Sequence, residues 1–578
     1  MAAGQTYGAE CASCHSAGLF AGMSEARIFR TLETGIMSPF AERMTADERR
    51  SLARYLSASP ESPLPPEAFC ADRSVSVDLA SGAVWNGWSP RTDNARYQTG
   101  EAAGLSADQV PDLGLRWAFG FAGDLSSYSQ PAVLGDQVFV GSNAGTVYAL
   151  RAETGCIQWT FEAEAPVRTA LLAAPLAGGH AVLFGDQTAR FFAVDAETGR
   201  LLWSREVDPH PAARITGSPV VYDGVVFVPV ASWEETLATL GDYPCCSFRG
   251  NVAALRVDNG EEVWRRYLIG ETPAPTDPSP EGRPLWGPSG APTWSTPTVD
   301  PERGLLYVTT GNNYTDPATD TSDAVLALSL ETGGLVWVRQ LTPGDIFTGC
   351  ATCSAERGPD FDFGSSAILA ARSDGSDLLV AGQKSGVVYG LDPDGGGRIV
   401  WQTRVAEGTS HGGVQWGMAA DGDHVYVPIA DGALISIVEE DGVTRRRMDP
   451  EDGGGFAALR LDDGSLAWEA PPFRVCEGVP NCSPSQLAAA TAIPGVVFSG
   501  AMDGHIRAYA ADSGAVIWDF ETTGEYTAAN GVPARGGALN GNGPVVAGGR
   551  VFLNSGYNHF GTMTGNVLLM FAPGEPAP

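Results

Sequence analysis

The sequence predicts an all-β fold, an eight-bladed β-propeller over residues 80–578, preceded by a small all-α segment at 1–58 and a linker at 59–79. Three observations predict it. A unit of strand, glycine turn and strand ending in tryptophan recurs along the chain. Glycine and proline number 72 and 40 in 578 residues, the composition of many short strands joined by turns. The first 58 residues lack the unit and carry instead a helix-capping signature followed by a proline-rich boundary.

The front segment opens on CASCH at residues 11–15. In this spacing Cys11 and Cys14, one helical turn apart, form thioethers to a haem while His15 ligates its iron. A redox CxxC or half a zinc site is the competing reading. Met37, in a Gly/Pro loop, is the expected second axial ligand. Met44 is the alternative, but it stands just before Thr45, which caps a helix with Glu48 three residues on, and there it suits packing. The segment resembles a compact class I cytochrome c domain, in which haem c replaces much of the core that so short a chain lacks. The proline-rich run SASPESPLPPEA, residues 57–68, marks the linker.

Beyond it the repeats begin. GTVYALRAETGCIQWTFE at 145 is followed by copies at 189, 250, 323, 386, 454 and 504, and LGLRWAF supplies an opening half-copy. The recurring tryptophans are Trp117, Trp159, Trp203, Trp264, Trp337, Trp401, Trp468 and Trp518. Eight such units of strand and turn make eight four-stranded blades around an axis, with each tryptophan docking blade on blade. The long intervals 203–264 and 264–337 mark inserted loops, where function usually sits.

Charge and cysteines set the environment. With 36 basic and 68 acidic residues the net charge is −32, which argues against nucleic acid and anionic membrane surfaces as partners. No run of 18 apolar residues offers membrane insertion. The start has no leader-like pattern, so the chain reads as a mature, periplasmic form. Cys245/Cys246, Cys350/Cys353 and Cys476/Cys482 are close pairs in loop-like sequence, as an oxidising compartment allows. Cys70 and Cys156 remain and are expected to be bridged. CATC is either a zinc half-site or a local disulfide, the latter favoured because its only partner pair is distant. Cys245 and Cys246 are either two free thiols or a bonded, rigid apolar plate.

The repeats, the segment WNGWSPRTDNARYQ (85–98) and the strand TPTVDPERGLLYVTTGNN (296–313) resemble the pyrroloquinoline quinone (PQQ) dependent alcohol dehydrogenases over nearly the whole propeller. With a cytochrome-like segment ahead, the resemblance is to the quinohaemoproteins among them. It implies that Glu234, ending the segment ITGSPVVYDGVVFVPVASWE, ligates calcium with the amide oxygen of Asn312, an all-oxygen site. It also implies that Thr216 faces the quinone, Trp294 lies under its ring, and Cys245–Cys246 forms a lid opposite.

The base implied is Asp360, counted without gaps from the strand AIL; Asp362, on the same face by alternation, is the alternative base or a backbone-bonding turn residue. Lys384 reaches the quinone oxygens or is a plain turn lysine, and Arg168 is a further cofactor contact. His411, His424, His505 and His559 show no metal-ligand spacing and read as ordinary. Two departures stand out. The better-known quinohaemoproteins carry their cytochrome at the C-terminus and their adjacent cysteines one blade earlier.

The implied reaction is oxidation of alcohols, small or polymeric and chiefly secondary, with electrons passing to haem c and then to an external cytochrome c or azurin-like protein. A quinoprotein acting on sugars or polyols is an alternative. So is a non-catalytic scaffold like the outer-membrane assembly lipoprotein that shares the repeat. Loops 271–293, 341–362 and 471–486 decide the substrate.

Overall fold

The computed structural model describes residues 25–33, 37, 41, 44–57 and 64–574, apart from 81, 164, 355, 439–441, 443 and 559–560. Cys11, Cys14, His15 and His559 lie outside the described residues. In the front segment the helices Glu25–Glu33 and Ala46–Leu56 pack through Ile28, Leu32, Leu52, Ala53 and Leu56. Thr45 caps the second helix as its sequence requires: its Oγ1 accepts the Glu48 N–H at 3.3 Å while Glu48 accepts the Thr45 N–H at 2.9 Å. Met44 is buried in this cluster and Met37 lies half-buried against it.

Eight antiparallel sheets follow, and they form the eight-bladed propeller. Blades 1 to 7 occupy residues 132–162, 172–206, 220–267, 298–340, 368–404, 419–470 and 491–521. The eighth, 545–573, takes its outer strand from Leu113–Gly120, which pairs with Val567–Pro573 and closes the ring with the two ends of the propeller segment. Closure removes the open edges that a linear array would expose.

The repeat has a physical cause in each blade. In all eight outer strands the register slips at the residue before the tryptophan, a bulge that re-aims the indole toward the neighbouring blade. Seven of the eight donate Nε1–H to a carbonyl of the next blade at 2.8–3.1 Å, as in Trp264 to Leu330 and Trp518 to Leu113. The exception, Trp337, meets a turn lengthened to DPDGGG and its Nε1 finds no acceptor. The repeat glycine is fixed twice over. At Gly155, Gly199, Gly260, Gly333, Gly397, Gly464 and Gly514, φ lies between +66° and +71°, and a Cβ would come within 2.4–3.0 Å of the preceding blade's tryptophan ring.

Residues 84–98 run around the axis against the inner strands. Val84 and Trp85 pair with blade 1, and Asn86 exchanges hydrogen bonds with Ala173 of blade 2. The carbonyls of Thr92, Asp93, Ala95 and Arg96 then accept N–H groups of Val299, Leu369, Ala420 and Ala492 in blades 4 to 7. Arg96 ends up wholly enclosed on the axis. It donates to Ala490 O, Gln130 Oε1 and Thr491 Oγ1 at 2.7–2.9 Å, and burial draws its pKa down to about 9. Neutral acceptors alone satisfy its Nε, Nη1 and Nη2.

All four expected disulfides are present: Cys70–Cys156, Cys245–Cys246, Cys350–Cys353 and Cys476–Cys482. The first ties the residues before the propeller to the outer strand of blade 1, beside the bridge Phe69↔Ile157.

Candidate active site

In each blade the second-to-third-strand connection and the exit to the next blade emerge on the same face. The long insertions therefore meet there. The connection in blade 3 carries Glu234 and Glu235, that in blade 4 carries Asn312, and that in blade 5 carries Lys384. The exits from blades 3 and 4 bring Trp294, Asp360 and Asp362.

The centre of the group is Lys384, buried and clamped at 3.0 Å from both Asp360 Oδ1 and Asp362 Oδ2. The two aspartates, two residues apart, thus share one cation. They differ in what else holds them. Asp362 Oδ1 accepts the Asn312 N–H at 2.8 Å, so both its oxygens are engaged. Asp360 makes no further hydrogen bond through Oδ2 within the described residues. Burial, outweighing the attraction of Lys384, raises the Asp360 pKa well above the usual range, and Asp362 and Glu235 push the same way. Burial would lower the Lys384 pKa, yet Asp360, Asp362 and Glu235 together hold it raised, so it stays charged.

Glu234, the carboxylate expected on calcium, is engaged with the chain itself. That residue is fully enclosed, and its carboxylate already accepts Ser247 N–H at 2.9 and 3.0 Å, Phe248 N–H at 2.7 Å and Tyr243 O–H at 3.1 Å. It fastens the loop that follows the adjacent cysteines. Its neighbour Glu235 faces the charged group instead: burial pushes its pKa up to about 7, Asp362 adds to the rise, and Lys384 and Arg214 oppose it. Asn312 has a buried Oδ1 that no donor among the described residues reaches, while its Nδ2 donates to Asn313 O and Phe347 O at 2.5 and 2.6 Å. An amide oxygen oriented by its own N–H groups and left without a partner fits a hard cation.

Beside this group lies an axial cavity enclosing about 360 Å³ of non-atom space, open mouth included. Trp294, Trp416, Arg168, Thr216, Tyr128 and Tyr557 are among its walls. Trp294 and Trp416 meet edge to face with centroids 4.9 Å apart, and Lys384 Nζ stands 5.5 Å above the Trp294 ring. Gly364, after the two aspartates, has no alternative: a Cβ there would sit 1.9 Å from Trp294 Cη2. Arg168 lies over the rings of Trp416, Tyr557 and Tyr128 at 4.6, 5.3 and 5.5 Å. Arg214 lies 3.5 Å over Trp233, its pKa drawn down to about 10 by burial and by the repulsion of Arg168.

Two guanidiniums repelling one another across aromatic walls fit a planar ligand bearing carboxylates. Thr216 Oγ1, Trp416 Nε1 and both amide atoms of Asn540 are buried without partners among the described residues, as polar atoms awaiting a ligand would be. The donor set therefore fits PQQ with calcium at its side.

The bond between Cys245 and Cys246, implied as a lid, is formed. Both residues are fully enclosed in an apolar cluster with Phe248, Leu285, Tyr314 and the Cys350–Cys353 bridge, and neither lines the cavity. Sequence reasoning missed Glu235, Arg214, Trp416 and Asn540. It also missed Asp323, which is buried with both oxygens unpartnered among the described residues; burial, with repulsion from Asp362, Asp345 and Asp360, raises its pKa well above the usual carboxylate range. Burial and the charges of Lys384 and Arg446 hold His411 neutral, its pKa about 3.

Residues 111–313 match the family model described as outer membrane protein assembly factor BamB. Along nearly the whole chain the similarity is to enzymes. A polyvinylalcohol dehydrogenase of Pseudomonas sp. is 38% identical over 98% of this chain and 92% of its own. That of Sphingopyxis sp. (strain 113P3) is 36% identical over 95% of this chain and 88% of its own. The solved quinohemoprotein alcohol dehydrogenase ADHIIG of Pseudomonas putida HK5 shares the fold, with a TM-score of 0.62 at 21% identity, over 88% of this chain and 84% of that one.

By these relatives the chain is an oxidoreductase, a quinoprotein alcohol dehydrogenase. Within that class the chain belongs to the polyvinyl alcohol dehydrogenase family.

Proposed function

We propose that the chain oxidises secondary hydroxyl groups, those of polyvinyl alcohol among them, and passes the electrons to its own haem c. PQQ, calcium and haem c are its cofactors. The observation that carries the reading is the Asp360–Lys384–Asp362 clamp beside the unpartnered Asn312 oxygen and above Trp294. When bound, the quinone polarised by calcium supplies an acceptor for the hydride on the substrate's carbinol carbon.

The chain supplies the rest. Asp360, the carboxylate with an oxygen to spare, takes the alcohol proton on Oδ2. Lys384 keeps Asp360 and Asp362 from repelling one another out of position. Glu235 and Asn312 hold the cation, Trp294 and Trp416 wall the ring, and Arg168, Arg214 and Thr216 hold the ligand's polar edge. Residues 1–58 form the cytochrome domain, with haem c on Cys11, Cys14, His15 and Met37. An external cytochrome c or azurin-like protein with a basic face is the next acceptor for a chain of charge −32. Four disulfides support a location in an oxidising compartment such as the periplasm.

The test is turnover of polyvinyl alcohol and 2-propanol by protein reconstituted with PQQ and calcium, with a dye acceptor that bypasses the haem. Asp360→Asn should lose on the order of a hundred-fold or more in kcat while still binding PQQ and calcium. If Asp362→Asn is the dead variant instead, the base is Asp362. A haem spectrum indifferent to PQQ and to both alcohols would favour a scaffold role.

A further inference from the structure

We infer that Asp345 is the positioning residue of the base, a role that rests on the assignment of that base to Asp360. Asp360 has φ +65°, a left-handed conformation that a residue with a side chain keeps only where its surroundings hold it there. What holds it is one carboxylate fifteen residues earlier in the chain. Asp345, 1% exposed, accepts the Asp360 N–H on Oδ1 at 3.2 Å and the Phe361 N–H on Oδ2 at 2.7 Å.

Charge-assisted bonds to two consecutive amides fix the peptide plane between them, and with it the direction of the Asp360 side chain. Gly358 makes the approach possible. A Cβ at that position would stand 2.0 Å from Asp345 Oδ1.

The same residue is joined to the proposed cation ligand. The Asp345 carbonyl accepts the Asn313 N–H at 3.1 Å, Phe347 N–H returns a bond to Asn313 O at 2.9 Å, and Asn312 Nδ2 donates to Phe347 O. Asn312 Oδ1 is thereby aimed through the turn 345–347, and Asp360 through the carboxylate of its first residue. One short turn sets the distance between the group that takes the proton and the group that holds the metal. Asp345 itself touches neither substrate nor cofactor in this arrangement; it acts through Asp360.

The test is a double-mutant cycle on the holoenzyme with PQQ, calcium and a dye acceptor, with 2-propanol as substrate. In Asp345→Asn the side chain offers an NH2 to one of the two amides, the peptide is released, and kcat should fall about 10- to 100-fold, the cost of misplacing a reacting group by the order of an ångström. The KM for 2-propanol and the PQQ and calcium affinities, read by tryptophan fluorescence titration of the apoprotein, should stay within about two-fold. Gly358→Ala, which changes no charge, should lower kcat in the same way by displacing the carboxylate.

The decisive arm is Asp345→Asn combined with Asp360→Asn, which should be no slower than Asp360→Asn alone. A merely structural role would add its own loss in the double variant and would lower PQQ affinity, and either result overturns the inference. So does a healthy kcat in Asp345→Asn beside a dead Asp360→Asn. If Asp360→Asn itself turns over normally, the base assignment fails first, and Asp345 has nothing to position.

Discussion

Replacing Gly333 by alanine isolates what one docking contact is worth. Gly333 has φ +66°, and an added Cβ would meet the Trp264 ring at 2.5 Å from Cε3. The left-handed backbone costs alanine about 1–2 kcal/mol, and overpacking a well-filled site costs about 1–3 kcal/mol more. Gly304, in the same blade, supplies the control: its φ is +64° and nothing stands within 4 Å of the Cβ position. Gly304→Ala should therefore cost the backbone term alone.

The gain that alanine brings by restricting the unfolded chain is common to both variants and cancels in the comparison. The expected difference, Gly333→Ala minus Gly304→Ala, is about 1–3 kcal/mol, larger if the Trp264 bond to Leu330 O at 2.9 Å is lost as well. Urea denaturation followed by tryptophan fluorescence measures it as the separation of midpoints at equal slope. Equal midpoints for the two variants would show that the indole yields freely. The tryptophan repeat would then be a packing convenience, not a close-fitted dock.

Two further outcomes bear on the site. Glu235→Gln should raise the calcium concentration needed for half-maximal turnover, and excess calcium should restore part of the activity. Glu234→Gln should instead lower the unfolding temperature with little change in calcium dependence, because its carboxylate serves the backbone of residues 247 and 248. A calcium titration of both variants beside wild type decides which carboxylate meets the ion.

The acidic limb of the pH–rate profile should lie well above 3.8, since burial raises the pKa of Asp360 and only the ionised form accepts a proton. Asp362→Asn removes a repelling charge and should move that limb to lower pH, whereas Lys384→Met removes the attracting one and should move it up. Steady-state rates across pH with the dye acceptor read both shifts.

The blades were legible because their chemistry is local and periodic: a turn glycine and a tryptophan at fixed spacing carry both the backbone conformation and the dock. The bulge before each tryptophan was not, since it shows only in pairing with the third strand. At the site, it is the resemblance of short segments to the quinoprotein family that points to Asp360, Asp362, Lys384, Asn312 and Trp294, and the loops carrying these five emerge on one face of the propeller.

Glu235 could not be read in that way, because the doublet Glu234-Glu235 opens a short helical turn, and there neighbouring side chains diverge by about 100° in a way that strand alternation does not foretell. One signal lay unused. Six of the fourteen tryptophans fall outside the repeat, and three of these, Trp88, Trp294 and Trp416, line the cavity. A tryptophan out of phase with the repeat marks a place where the ring is needed for something other than docking.

The strap at 84–98 also gives the molecule a direction in time. These residues leave the ribosome before any blade, yet their partners in blades 4 to 7 are made hundreds of residues later, and Gln98 reaches Val546 of the last blade only when synthesis is almost done. Until then the carbonyls of Thr92, Asp93, Ala95 and Arg96, and a guanidinium that needs acceptors from three blades, have only water to bond. A chain cut short before the last blades lacks those partners and the strand Val567–Pro573 that closes the ring. The strap's last partners are also the last part of the propeller to be made, so the centre is completed together with the ring.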